Sequence, residues 1–291
     1  MNNKPHHNSI FPEQARILSH LALDGEQFIL RVQAPECARA ARPGSFAHVQ
    51  CDPALRLRRP ISIMRTSAGE GWVELLYKAV GEGTRLLSRR NSGEMLDLLA
   101  PIGNPFQVHQ EYPRPLLIGG GVGMPPMIFL SQTLVGNTAF RPFVILGSEV
   151  PFPFQPRPSK ILAPTLPDGV IACMPLLDDW GIPSRLTSQS GFAGCHQGYV
   201  TDLARHWLEN LTQQQRSEVE IFSCGPHPML EAVSRLAEEF DLACQVSLEE
   251  FMACGVGGCA GCVVPVETSS GQQMQRVCVD GPVFDARQVF P

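Results

Sequence analysis

At 291 residues the chain is too long for one core of ordinary size and suits two domains. A hydrophobic fraction of 44% and a charged fraction of 18% fit a globular protein, and a net charge of −5 with a pI near 5.9 offers no basic face to nucleic acid or anionic membrane. The opening MNNKPHHNS lacks the apolar core of a signal peptide, and no apolar run approaches the ~20 residues of a membrane span, so a cytoplasmic protein without membrane insertion is expected.

Residues 1–110 carry short β-type runs at Gln27–Gln33, Ala47–Cys51 and Trp72–Val80, punctuated by Pro43-Gly44, Gly69 to Gly71 and Gly81 to Gly83. Many short strands and few helical patterns predict an antiparallel β-barrel. One helix is expected over Thr84–Arg90, with Thr84 as its N-cap.

Residues 111–246 alternate strand and helix, which predicts a parallel α/β sheet. Leu116–Ile118, Phe143–Leu146, Val170–Cys173 and Val219–Phe222 read as buried strands. Helices are expected over Pro125–Val135, with proline in its first turn where no N–H is needed, and over Thr201–Asn210 and Pro228–Phe240. In the last of these Met229, Leu230, Val233, Leu236, Ala237 and Phe240 form one apolar stripe. Glu149–Gly169 is rich in proline and reads as an irregular loop. Residues 247–291 form a small C-terminal segment dominated by glycine and cysteine.

Ten cysteines in a reducing compartment need a reason other than disulfides. Cys37, Cys51, Cys173, Cys195 and Cys244 are scattered and read as small buried apolar residues. Cys254, Cys259 and Cys262 are clustered, and Cys278 follows after fifteen intervening residues. The spacing C-x4-C-x2-C…C matches the plant-type [2Fe–2S] pattern. Glycines between the ligands let the backbone take positive φ and approach inorganic sulfide, and N–H groups freed there can donate to sulfur. A structural zinc site is the alternative, but zinc loops are usually built from two C-x2-C pairs, and only one is present.

Two glycine turns stand at the ends of predicted strands. Leu116–Ile118 runs into Gly119-Gly120-Gly121-Val122-Gly123-Met124-Pro125-Pro126, a strand–turn–helix that gathers N–H groups and a helix dipole on an anion. It reads G-x-G-x-x-P at Gly121, Gly123 and Pro126, where the dinucleotide fingerprint is G-x-G-x-x-G; a tight structural turn is the competing reading. Ser223-Cys224-Gly225-Pro226 is a second such turn. In the barrel, Arg58-Arg59-Pro60-Ile61-Ser62-Ile63 joins a cationic pair suited to pyrophosphate with a hydroxyl, although taken alone it reads equally as a basic edge strand. Tyr77-Lys78-Ala79-Val80-Gly81-Glu82-Gly83-Thr84 adds a second possible phosphate cradle.

The order of these motifs resembles the ferredoxin-NADP+ reductase superfamily. With the block Met252-Ala253-Cys254 to Cys262 and the tail Val277-Cys278-Val279-Asp280-Gly281-Pro282-Val283-Phe284, it is similar to the electron-transfer subunits of dihydroorotate dehydrogenase B. The resemblance implies that Arg59, Pro60, Ile61 and Ser62, with Tyr77, Lys78, Gly83 and Thr84, hold FAD. It implies that Gly121, Gly123 and Pro126 cradle NAD(H), a diffusible substrate, and that Gly225 and Pro226 lie by the nicotinamide with Cys224 as the catalytic residue. Where the superfamily often has tyrosine, this chain has Ile61. The implied activity is that of an oxidoreductase subunit: hydride exchange between NAD(H) and FAD, then single-electron passage through the cluster to an FMN-containing dihydroorotate dehydrogenase in a hetero-oligomer serving pyrimidine synthesis. A hydrogenase or transhydrogenase partner is the alternative, and a zinc-stabilised nucleotide-binding regulator is a third reading. An acidic Glu149 after the second strand suits a ribose hydroxyl and favours NADH over NADPH. Asp178, Asp179 and His196, in the segment Gly169–Gln197, are expected to be solvated loop residues, with a metal site as the alternative.

Overall fold

The computed structural model describes residues 9–163 and 165–291. All but the last residue of the opening MNNKPHHNS lies outside the described residues.

The first strands are β1 (Phe11–Leu23), β2 (Gln27–Gln33), β3 (Phe46–Gln50), β4 (Arg59–Ser67), β5 (Trp72–Lys78) and β6 (Met95–Ile102). They close an antiparallel barrel in the order β1-β2-β5-β4-β3-β6, with Phe11 of β1 opposite Ala100 of β6. Closure leaves no unpaired strand edge. Inward positions are filled by Leu30, Val32, Ile63, Leu75, Leu96 and Leu98, each essentially inaccessible to solvent. The predicted barrel is therefore present, with β1 and β6 added to the strands legible in the sequence.

Helix α1 (Pro35–Ala40) starts on a proline, and the Glu13 carboxylate of β1 accepts hydrogen bonds from Glu36 N and Cys37 N at 3.1 and 2.8 Å. That negative charge meets the positive end of the helix. Helix α2 (Glu82–Leu87) begins two residues before the sequence expectation. Gly81 is its N-cap, and Thr84 sits inside the first turn, where its Oγ1 accepts from Gly81 N at 3.1 Å. The capping contact is that of a capping box, with threonine reaching back rather than starting the helix.

The second series comprises β7 (Arg114–Gly120), α3 (Met124–Leu134), β8 (Phe143–Gly147), β9 (Arg157–Pro158), β10 (Ala172–Cys173), α4 (Pro175–Asp179), β11 (Ser184–Thr187), α5 (Val200–Glu209), α6 (Gln213–Ser217), β12 (Val219–Cys224), α7 (His227–Glu239) and β13 (Ala243–Ser247). The chain continues through β14 (Val263–Thr268), β15 (Gly271–Arg276), β16 (Val283–Asp285) and α8 (Ala286–Val289). The main sheet has the order β11-β8-β7-β12-β13-β16, and its first five strands are parallel. Counted along the chain, those five run 3-2-1-4-5, the doubly wound arrangement whose order reverses between β7 and β12.

One expected strand is not in this sheet. Val170–Cys173 yields only the two-residue β10, paired in a separate ribbon with β9 of the proline-rich segment. The parallel edge strand is instead β11, Ser-Arg-Leu-Thr, all four residues buried. Its polarity hid it, and the fold accommodates buried Arg185 by bonding its guanidinium to the carbonyls of Val170, Ser184 and Ile161 at 2.7 to 3.1 Å. Asp178 also departs from expectation. It is buried, accepts from Ser159 Oγ at 2.8 Å and Lys160 N at 3.2 Å, and pairs with Arg157 at 3.2 Å. Asp179 also pairs with Arg157. These carboxylates pin the irregular segment; among the described residues no group of three or more His, Cys, Asp or Glu gathers to hold a metal ion.

The chain folds as two compact units. Residues up to Pro105 join Leu248–Val283 in one; Phe106–Ser247 and Phe284–Pro291 form the other. The cysteine-rich segment thus belongs to the unit of the barrel. Asn104 N and Nδ2 donate to the carbonyls of Gly281 and Asp280 at 2.6 and 2.7 Å, and Pro282 packs where a side chain on Gly103 would stand. The Asp280-Gly281-Pro282 sequence is the clasp that holds the segment to the end of the barrel.

Candidate functional site

In the barrel, Arg59 opens β4, and its guanidinium lies over the start of α2. A Cβ on Gly83 would come within 2.8 Å of Arg59 Nε. A side chain at residue 83 would have to displace Arg59, and the arrangement places a planar cation beside backbone N–H groups of a helix start. Arg59 Nη1 donates to the Leu57 and Arg58 carbonyls at 2.8 and 3.2 Å, which fixes the fork. Pro60, Ile61 and Ser62 continue β4 opposite His48, Ala47 and Phe46 of β3. Ile61 is buried and Ser62 half-buried. Tyr77 is buried in the barrel wall, stacked on Phe28 with its hydroxyl 2.8 Å from His20 Nε2. Burial pushes its phenol pKa up. Lys78 follows at the end of β5, half-buried and opposite Gln27.

The two glycine turns of the other unit meet at the reversal point of the sheet. β7 and β12 are adjacent and parallel, with Gly119 in register with Cys224. Ser223 Oγ donates to the Ile118 carbonyl at 3.1 Å, locking the strand ends together. Gly121 has φ +55, and Gly121–Gly123 form a short 3-10 turn into α3, where Pro125 and Pro126 occupy the first turn. An added Cβ on Gly123 would collide with the Cys224 carbonyl and with Gly225 Cα. The two turns therefore pack backbone on backbone. Cys224 is wholly buried, and Pro226 is the N-cap of α7, its carbonyl accepting from Met229 N and Leu230 N. Two helix N-termini, α3 and α7, start at this crevice outside the carboxyl ends of parallel strands, the place where ligands bind in such sheets.

The cysteine segment forms two sulfur pairs. Cys262 precedes β14 and Cys278 follows β15, and the hairpin register Val263↔Arg276 brings their Sγ atoms to 3.4 Å. Both are buried, and burial together with Cys262 pushes the Cys278 thiol up to about 12. Cys254 and Cys259 form the other pair. Burial opposes the Cys254 thiolate, but hydrogen bonds from the backbone of Val256, Cys259 and Gly258 and from the Cys259 side chain bring it down to about 7. Positive φ at Gly255, Gly257 and Ala260 turns the loop around these sulfurs. Arg276 braces it, donating through Nη1 to the Gly257 carbonyl at 3.2 Å and through its backbone N to the Asp280 carboxylate at 2.8 Å.

Beneath the loop lies His48, a residue the sequence does not single out. It is buried in β3, and burial, with the Arg58 charge, lowers its imidazole to about 4 against the pull of nearby backbone groups of Met252, Arg58 and Cys254. The ring is therefore neutral near pH 7. A lone histidine within a strand gives no sequence signal. Only the fold brings it under Gly255.

Barrel, doubly wound sheet and cysteine segment define an electron-transfer oxidoreductase of the ferredoxin-reductase type, with the architecture that binds FAD and NAD. Comparison with known proteins narrows this. The iron–sulfur cluster binding domain of dihydroorotate dehydrogenase B matches residues 249–290. The electron transfer subunit of dihydroorotate dehydrogenase B (NAD(+)) from Shouchella clausii is 32% identical over 95% of this chain and 94% of its own length. That of Caldanaerobacter subterraneus subsp. tengcongensis is 31% identical over 95% of this chain and 98% of its own. The chain belongs to this family of electron-transfer subunits. Among solved structures, a chain of the NADH-dependent reduced ferredoxin-NADP oxidoreductase superposes with a TM-score of 0.77 at 25% identity, over 95% of this chain and 90% of that one. Phthalate dioxygenase reductase, at 14% identity and a TM-score of 0.58 over 91% of this chain and 76% of that one, shares the fold. No helix among the described residues is long and apolar enough to cross a membrane.

Proposed function

We propose that this chain passes electrons between NAD(H) and the FMN-containing catalytic subunit of a dihydroorotate dehydrogenase, as a cytoplasmic hetero-oligomer, using FAD and a [2Fe–2S] cluster. When bound, FAD supplies the exchange between hydride transfer and single-electron steps, and the cluster supplies a one-electron relay. The observation that carries the reading is the gathering of Cys254, Cys259, Cys262 and Cys278 in one segment at C-x4-C-x2-C…C spacing, with the Cys262 and Cys278 sulfurs 3.4 Å apart. A structural zinc ion needs its four ligands around one point. A two-iron cluster is held by four thiolates, and the C-x4-C-x2-C…C spacing of this chain matches its plant-type form.

The remaining residues take their roles from position. Arg59, beside the open backbone of Gly83 and Thr84, is the charge for a pyrophosphate, and Pro60, Ile61 and Ser62 extend that strand along the cofactor. Tyr77 and Lys78 support it from β5, Tyr77 through the barrel wall. Gly121, Gly123 and Pro126 orient the nicotinamide dinucleotide on the α3 N-terminus, while Gly225 and Pro226 form the opposite lip with Cys224 behind it. Glu149 follows β8 and accepts from Gln189 N at 3.2 Å, which holds an acidic group for a ribose hydroxyl and favours NADH.

A second reading has a transhydrogenase-type partner, favoured by the superposition on the NADH-dependent reduced ferredoxin-NADP oxidoreductase chain. Reconstitution decides between them. Mixed with an FMN-containing dihydroorotate dehydrogenase subunit, the purified chain is expected to confer NAD+ reduction by dihydroorotate that neither protein shows alone. Failure to co-purify with that subunit or to confer the activity overturns the pyrimidine assignment.

A further inference from the structure

Arg276 touches both halves of the cysteine set. It ends β15 opposite Val263, the residue after Cys262, and Val277 N donates to the Cys262 carbonyl at 3.0 Å. Its own carbonyl accepts from Val279, Asp280 and Gly281 N at 3.0, 2.7 and 3.3 Å, which folds the turn that follows Cys278. The guanidinium reaches the other way: Nη1 donates to the Gly257 carbonyl at 3.2 Å, in the loop between Cys254 and Cys259. Gly257 N in turn donates to the Cys278 sulfur. At φ +80 Gly257 has no room for a side chain, since an added Cβ would stand 2.5 Å from Val279 Cγ2 and 3.4 Å from Arg276 Nη1. Asp280 holds Arg276 in place, its Oδ2 accepting from Arg276 N at 2.8 Å and from Nε at 3.2 Å, while its carbonyl accepts from Asn104 Nδ2 at 2.7 Å. The guanidinium charge acts on the thiols of Cys278 and Cys262.

We propose that the Arg276–Asp280 ion pair is a positioning device that locks the Cys254–Cys259 loop onto the Cys262–Cys278 pair, and that its two balanced charges set the potential of the centre these sulfurs hold. The proposal rests on the iron–sulfur reading of the four cysteines. The reduced form of such a centre is the more negative, so a nearby cation raises its potential and a nearby anion lowers it. Neutralising one partner leaves the other charge unbalanced, and the two neutralisations therefore act with opposite sign. A brace that only held the loop would move the potential the same way in both. The side chains are 28% and 32% exposed, so water screens each charge and the effect is modest.

The test uses the full chain purified without oxygen, with Arg276→Gln, with Asp280→Asn, whose amide oxygen still accepts from Arg276 N, and with Arg276→Lys, which keeps the charge and loses the fork. Iron, labile sulfide and FAD are counted, and the centre is titrated while its electron paramagnetic resonance spectrum is followed. FAD content and flavin potential stay unchanged in all three. At a fixed potential the ratio of reduced to oxidised centre falls about threefold in Arg276→Gln and rises about threefold in Asp280→Asn, about 28 mV each way for a one-electron couple. In Arg276→Lys the ratio stays at the wild-type value, but iron passes to the chelator bathophenanthroline about fivefold faster, the worth of one lost hydrogen bond. Should Arg276→Gln lose its iron, the other two variants decide: a raised ratio in Asp280→Asn with a wild-type ratio in Arg276→Lys supports the proposal. Shifts of one sign in both neutral variants, a wild-type ratio in either, or iron loss from Asp280→Asn or Arg276→Lys overturns it alone. A wild-type chain without iron and sulfide overturns the iron–sulfur reading itself.

Discussion

Gly123→Ala tests whether the two turns of the nucleotide crevice depend on direct backbone contact. Gly123 has φ −83 and ψ −2, a conformation open to any residue, so the need for glycine is one of space. An added Cβ would lie well inside contact distance of the Cys224 carbonyl carbon and oxygen and of Gly225 Cα. These are backbone atoms of a strand end and cannot rotate aside. Carbon contacts settle near 3.5–4.0 Å, so the turns must separate by about 1 Å. Overpacking of this kind costs about 1–3 kcal/mol, and if that strain falls on the crevice the dissociation constant for NADH rises about 5- to 150-fold, at 1.4 kcal/mol per tenfold. Gly121→Ala is the control. Its φ is +55 and an added Cβ meets nothing within 4 Å, so its cost is conformational alone, about 1–2 kcal/mol. Calorimetric titration with NADH, and the rate of flavin bleaching by NADH, report the two variants, with FAD content unchanged in both. Binding by Gly123→Ala within twofold of wild type at an unchanged melting temperature refutes the packed-turn account.

Three further outcomes follow from the same geometry. Arg59→Ala is expected to weaken FAD binding about 10- to 100-fold, the worth of charge-assisted hydrogen bonds to phosphate, as read by flavin released on gel filtration; full retention removes Arg59 from the site. Cys259→Ser is expected to bleach the iron–sulfur absorbance and leave FAD bound, whereas loss of both groups means that the segment is needed for folding. Asp178→Asn is expected to lower stability by about 2 kcal/mol near neutral pH, through lost charge-assisted bonds to Ser159, Lys160 and Arg157. Although burial opposes ionisation of Asp178, those bonds hold its pKa below the usual 3.8. Its contribution is thus complete above the unfolded value and is lost as pH falls through the lower folded one. Denaturant midpoints should therefore differ at pH 7 and converge toward pH 3; a constant gap contradicts the ion-pair assignment.

Much of this was legible in the sequence because it rests on local chemistry. Glycine before a helix start, proline in its first turn and cysteine spacing each leave a mark in adjacent residues, and the four clustered cysteines and both glycine turns at the strand ends are visible that way. The failures share a cause in burial that the sequence does not announce. β11 is polar in composition yet fully buried, because Arg185 finds three carbonyl acceptors that only the fold supplies. Asp178 looked solvated because its partner, Arg157, lies twenty-one residues away in a loop without periodicity. His48 is one histidine in a five-residue strand, and its place under Gly255 is made by residues more than two hundred positions later. Thr84 was recognised as part of a cap, but the capping direction depends on where the helix begins.

The most direct test of the central claim is a count of metals and labile sulfide on the purified chain, joined to its resonance spectrum after NADH is added. About two irons and about two labile sulfides per chain, with one equivalent of FAD and a signal that appears on NADH addition and disappears in Cys259→Ser, is the predicted result. A colourless chain carrying zinc, or a loaded chain whose iron–sulfur centre NADH cannot reduce, contradicts it.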